Sequence, residues 1–166
     1  MGPVLGHLLA DMESAQYNHA WGCIPTSFKV ISVWQPPLGN CFKLNFDGAC
    51  FDDGAASGYG AVIRNEKGEV MAALAAKGGA VRDSEEVEVF ACRKALEFAI
   101  DAGFMEIILE GDSFRSISIN CVRRTANGVA HALAGFTRLI DDDIVWLEED
   151  PLTVVDALYL DANALN

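Results

Sequence analysis

The chain has 166 residues, of which 51% are apolar and 22% charged, which suits one core of ordinary size and a single domain with short extensions. Its formal charge of −12 speaks against a polyanion partner only if spread evenly, and it is not: residues 141–166 hold eight acids and no Lys or Arg. Sixteen acids against twelve bases remain before that segment, so the body is close to balanced and nucleic acid stays an admissible partner.

Residues 1–40 mix apolar and polar side chains without sustained periodicity and close on the Pro/Gly punctuation WQPPLGN at 34–40, the pattern of an extension and linker. His7, His19 and Cys23 lie there without the matched spacing of a closed metal site. No Lys or Arg precedes Lys29, and Gly6 stands where a myristoylation motif wants Ser or Thr. The segment therefore has the marks of neither a secretory signal, a transit peptide nor a lipid anchor. With no apolar run of spanning length, the expectation is a soluble intracellular protein, nuclear or cytoplasmic, without a membrane partner. The five cysteines are odd in number and form no C-x-x-C pair, which fits reduced, mostly buried thiols better than a disulfide framework.

Regular structure is expected from CFKLNFD, 41–47, where Phe42, Leu44 and Phe46 alternate with Lys43, Asn45 and Asp47 as in a half-buried strand. ASGYGAVIRN and EVMAALAAK, joined by the turn residues EKG, predict two further strands of an antiparallel meander. DSEEVEVFACRKALEFAIDAG opens with Asp83 three residues before Glu86 and closes on Gly103, so both ends of a helix are marked. On that helix Glu88 shares a stripe with Ala91, Ala95 and Ala99, small residues that pack closely on a sheet. FMEIILEGDS, 104–113, predicts a buried strand that enters a loop at Asp112. SISINCV, 116–122, predicts another strand and NGVAHALAGFTRLI, 127–140, a helix. In the acidic end, Ile144, Trp146 and Leu147 are candidates for docking on the body.

Asp47 at a strand end, Glu88 on a sheet-facing stripe and Asp112 past another strand are three acids at pointed positions. Converging carboxylates raise one another's pKa unless cations neutralise them, and hard oxygens suit Mg²⁺. An acid stands at about one position in seven of this chain, and strand ends are ordinary places for Asp. Pattern alone leaves open both a metal site and scattered surface acids.

KLNFDGA at 43–49, GYGAVIRNEKGEV at 58–70, EVFACRKALEFA at 88–99, LEGDS at 109–113 and VRRTANGVAHALA at 122–134 together resemble the ribonuclease H-like domain, in its plant, retrotransposon-derived branch. The resemblance extends from WQPPLGN through DDIVWLEEDP, roughly residues 34–161. It implies an α/β fold with a mixed sheet: three antiparallel strands, a helix, a fourth strand, a fifth strand and a C-terminal helix. It further implies two Mg²⁺ ions and cleavage of the RNA strand of an RNA/DNA hybrid. Carried over, Asp47, Glu88 and Asp112 would be catalytic metal ligands, and Gly48, Ala49, Ser113 and Asn127 would lie against the nucleic-acid backbone. His131 stands where active members carry a fourth acid, with proton shuttling or a helix-surface place as the roles open to an imidazole. The division is then 1–40 as N-terminal extension and linker, 41–140 as the domain, and 141–166 as an acidic C-terminal tail.

The domain is short between 113 and 116. In the family the fourth and fifth strands run parallel and are joined by helices, and a parallel crossover takes a dozen or more residues. Gly111 to Arg115 supplies five, which reach about 17 Å when extended, so roughly 30 to 40 residues are missing by ordinary element lengths. The expectation is a fifth strand that is displaced or hairpin-paired, with Asn127 and His131 carried away from the acids and the sheet truncated on its helical side. A catalytically impaired transposon-derived protein, binding nucleic acid or other partners, is the alternative to a hybrid nuclease.

Overall fold

The structure, a computed structural model, describes residues 32–112 and 120–165. Six strands form one mixed sheet in the order β5-β4-β1-β2-β3-β6. β1 (Phe42–Phe51), β2 (Ala56–Arg64) and β3 (Val70–Gly78) make the expected antiparallel meander, with Asp47 opposite Gly60 and Leu74 opposite Ala61. The β2–β3 turn closes because Asn65 Oδ1 accepts from the amides of Lys67 and Glu69 at 3.0 Å each while Gly68 takes φ +82°, a conformation that favours glycine.

Helix α1 (Ser84–Asp101) starts at Asp83, whose side chain accepts from Glu86 N–H at 2.8 Å. The Glu86 carboxylate accepts in turn from the backbone and guanidinium of Arg82. Gly103, at φ +85°, ends the helix: its amide reaches Ile100 O and the Phe104 amide reaches Ala99 O, the bond pattern of a glycine stop. The stripe of Glu88, Ala91, Ala95 and Ala99 is buried and packs with Leu44, Phe46, Ala61, Ile63 and Leu74 on one face of the sheet.

The other face carries helix α2 (Gly128–Phe136) and, behind it, helix α3 (Val155–Asn163). Val62, Ala73 and Ala75 of the sheet meet Val129, Leu133 and Val154 there. α2 lies so close to β2 that a Cβ on Gly60 would stand 2.1 Å from Ala130 O. Because both faces are covered, Lys43, Asn45 and Asp47 are as buried as Leu44 and Phe46, and β1 is a central strand with a polar inner face.

β4 (Ile107–Gly111) pairs parallel with β1. β5 (Asn120–Cys121) corrects the expectation of a displaced or antiparallel fifth strand: it pairs parallel with β4, Glu110 with Asn120 and Gly111 with Cys121, and Val122 N–H donates to Gly111 O. The reason is length. The crossover argument assumed a strand that must begin again at the far end of the sheet, whereas this two-residue strand returns only to the end of β4, one strand spacing away. Eight residues, 112–119, suffice for that. The helical side is thin at this margin, where Ile107 and Leu109 are half-buried and Phe90 and Met105 exposed.

The acidic segment contributes β6 (Ile144–Leu147), antiparallel on β3, and α3, whose Asp161 meets the buried Arg64 at 2.7 Å. No helix among the described residues is long and apolar enough to cross a membrane.

Candidate metal centre

Three elements deliver one acid each. β1 brings Asp47 from the polar face of the central strand, α1 brings Glu88 from the first turns of its buried stripe, and Asp112 follows β4, the parallel neighbour of β1. One carboxylate oxygen from each lies within 4.8 Å of the others. Glu88 can come this near because Gly48 has no side chain: a Cβ there would stand 2.9 Å from Val87 O. The backbone amide of Gly48 partly offsets the rise in the Glu88 pKa, while Ala49 lies half-buried beside it on β1.

The cluster stores electrostatic strain. Burial raises the Asp47 pKa, the Asp112 charge raises it further, and His131 opposes both. Glu88 is pushed up to about 8, first by burial and then by the charges of Asp47 and Asp112. Near neutrality Glu88 therefore keeps its proton. Asp47 Oδ1 and Glu88 Oε2 are buried without a hydrogen-bond partner, and orphaned polar atoms are costly in an interior. Two unfilled hard oxygens beside a third carboxylate fit a divalent cation such as Mg²⁺.

His131 sits on α2 with its Nδ1 2.5 Å from Asp47 Oδ2, its side chain 46% exposed. The expected displacement of this position is thus also corrected. α2 is held against β1 by Asn127, which is fully buried and donates from Nδ2 to Phe46 O at 2.7 Å, one residue before Asp47. In this structure Asn127 faces the core rather than solvent. Ser113 lies outside the described residues, and Asp112 Oδ2 has Arg124 Nε at 3.5 Å.

Sequence reasoning missed the buried polar group behind the acids. Trp34, in the segment read as linker, donates from Nε1 to Asn45 Oδ1 and lies under the Arg64 guanidinium, 3.8 Å from ring centroid to Cζ. Asn45 also donates to Glu110, which pairs with Lys43 at 2.8 Å. The signal was present: alternation puts Lys43 and Asn45 on the same strand face as Asp47, and an Arg ending an apolar strand invites a search for its partner.

The chain matches the family described as reverse transcriptase-like over residues 45–113. Among solved structures it is similar to ribonuclease H1 of Halobacterium salinarum, at 24% identity and TM-score 0.52, covering 58% of this chain and 96% of that one. It is also similar to the N-terminal ribonuclease H domain of a Mycobacterium tuberculosis protein, at 18% identity and TM-score 0.49, covering 77% of this chain and 100% of that one. No curated protein matches.

Proposed function

We propose that this chain, whose fold is ribonuclease H-like, binds divalent cations through Asp47, Glu88 and Asp112 and hydrolyses the RNA strand of an RNA/DNA hybrid. The observation that carries this reading is the pair of buried, unpartnered oxygens, Asp47 Oδ1 and Glu88 Oε2, inside a three-acid cluster. Mg²⁺, two ions in the full form of the proposal, would supply charge neutralisation and a water acidic enough to attack phosphorus. Asp47 and Glu88 would hold the cation from the buried side, and Asp112 from the loop side. His131 would orient Asp47 through Nδ1, leaving its other ring nitrogen to exchange a proton with solvent. Gly48, Ala49 and Ser113 would border the nucleic-acid backbone. Descent from a reverse-transcriptase-associated, retrotransposon-derived domain of plants is part of the same proposal, of which the family match over 45–113 supports the reverse transcriptase-like part.

The test is a labelled RNA strand annealed to DNA, incubated with the purified chain in Mg²⁺ or in EDTA. Cleavage in Mg²⁺ alone, reduced by more than about a hundredfold in Asp47→Asn, is expected, because even outer partners of a metal site cost ten- to a hundredfold. Equal cleavage by Asp47→Asn would defeat the proposal.

A second reading has its own observation. His131 already engages Asp47 and Arg124 engages Asp112, so two of the three acids have side-chain partners, as in a domain that holds nucleic acid without cutting it. Arg93 pairs with Glu97 and Arg124 with Asp112, which leaves few basic side chains near the site for phosphate, Arg123 and Arg124 chief among those described, and predicts weak, strongly salt-dependent affinity. Hybrid binding that falls steeply with salt, with no cleavage at any Mg²⁺ concentration, would select this reading.

A further inference from the structure

The sheet ends in an open edge far from the acids. Glu148 N–H donates to Met71 O at 2.9 Å, and Trp146 and Ile144 stand opposite Ala73 and Ala75. Hydrogen-bonded pairs alternate along an antiparallel ladder, so Ile144 and Trp146 turn their backbone groups toward β3, while Val145 and Leu147 turn theirs outward. Among the described residues no strand lies beyond β6. Val145 and Leu147 are 51% and 61% exposed and border a groove of about 320 Å³ floored by Leu74, Phe98 and Ala102. An unprotected, partly apolar edge is a template for another strand.

Its flanks say what kind of strand. The four residues of β6 lie between Asp141, Asp142 and Asp143 on one side and Glu148, Glu149 and Asp150 on the other, all exposed. Among the described residues only Asp143 of these six has a basic partner, Lys94 at 3.4 Å. A second copy pairing antiparallel would set these acids against their equals, which is unfavourable. Residues 1–31 of this chain contain Lys29 as their only Lys or Arg and lack the complementary charge. We propose that β6 takes up, by strand addition, an extended segment of another protein in which about four apolar residues are flanked on both sides by lysines or arginines. Main-chain bonds to Val145 and Leu147 fix the register, the groove receives alternate side chains, and the two acidic flanks select basic sequence.

The experiment follows the fluorescence anisotropy of a labelled peptide, Val-Thr-Val-Ile between two runs of three lysines, on titration with the full chain. Two control peptides carry glutamates in place of the lysines, or N-methyl groups on alternate central amides. The lysine peptide is expected to bind and each control to bind at least about tenfold more weakly, the sum of several exposed ion pairs or the loss of outward main-chain bonds. Val145→Pro removes an outward amide and none of the bonds to β3, a tolerated place for proline on an edge, and is expected to abolish binding. Should that variant melt early, Asp141→Lys with Asp142→Lys, at exposed positions, is expected to weaken binding about tenfold. No binding of the lysine peptide, equal binding of either control, or undiminished binding by a well-folded variant overturns the proposal. So does a concentration-dependent dimer that Val145→Pro dissolves, which would give the edge to a second copy.

Discussion

Glu88 illustrates how one residue sets the behaviour of the cluster. Its pKa in the fold, about 8, lies above the ordinary 4.5, so the folded protein binds a proton that the unfolded chain releases between those values. The stabilising contribution is complete below pH 4.5 and is lost as pH rises toward 8; Asp47, raised in the same direction, adds to the trend. In EDTA the melting temperature should therefore fall from pH 5 to pH 8. Glu88→Gln should flatten that profile and raise Tm at pH 8 by several degrees, at about 2 to 4 °C per kcal/mol for a chain of this size. A wild-type profile that rises over this interval would contradict the assignment. At the neighbouring position, His131→Asp replaces an imidazole by a hard oxygen ligand beside Asp47. It should tighten Mg²⁺ binding about tenfold, within the range seen for groups around a metal site, as read by calorimetry.

At the scale of elements, α2 places both Asn127 and His131, and it can do so only because β2 presents glycines beneath it. Gly60→Ala would drive a Cβ to 2.1 Å from Ala130 O and 2.5 Å from Ala134 N. The expected cost is about 1 to 3 kcal/mol for overpacking, together with loss of the His131 to Asp47 bond, visible as a changed imidazole signal by NMR. A variant with wild-type stability and an unchanged His131 signal would show that α2 is not seated as described. Elements whose signals are local were legible in the sequence: α1 carries Asp83 at one end and Gly103 at the other, and β1 shows its alternation directly. The fifth strand was not, because the reasoning supposed a full-length strand, and nothing in SISINCV announces that two residues pair with β4. The return of His131 to Asp47 was misjudged for the same reason.

Across the whole molecule, the acidic C-terminal segment is tied to the core by the β6 ladder, by Val154 and by the buried pair of Arg64 and Asp161. Burial lowers the Arg64 pKa, and Asp161 only partly opposes it; burial raises Asp161 against the pull of Arg64. Removing one partner leaves the other charge buried and uncompensated, so Asp161→Ala should cost about 3 to 5 kcal/mol. The measurement is the urea midpoint, and a change under about 0.5 kcal/mol, the usual range for surface sites, would mean the segment is merely appended. Arg64 and Asp161 are 97 positions apart, and Asp161 is one of eight acids in its segment. No periodicity singles it out, which is why composition suggested only a tail. The three acids of the site were legible for the opposite reason: Asp47 on an alternating strand, which runs on to Phe51 rather than ending there, Glu88 on a buried stripe and Asp112 just past a strand stand where a carboxylate has no structural use of its own.

The most direct measurement is calorimetric titration of Mg²⁺ into the chain at pH 7 in two buffers of different ionisation enthalpy. Binding should saturate, be lost in Asp47→Asn, and release a proton, since the cation takes the place of the one held by Glu88. Absence of saturable binding in a well-folded sample, or heat that Asp47→Asn leaves unchanged, would contradict a divalent-cation centre built from Asp47, Glu88 and Asp112.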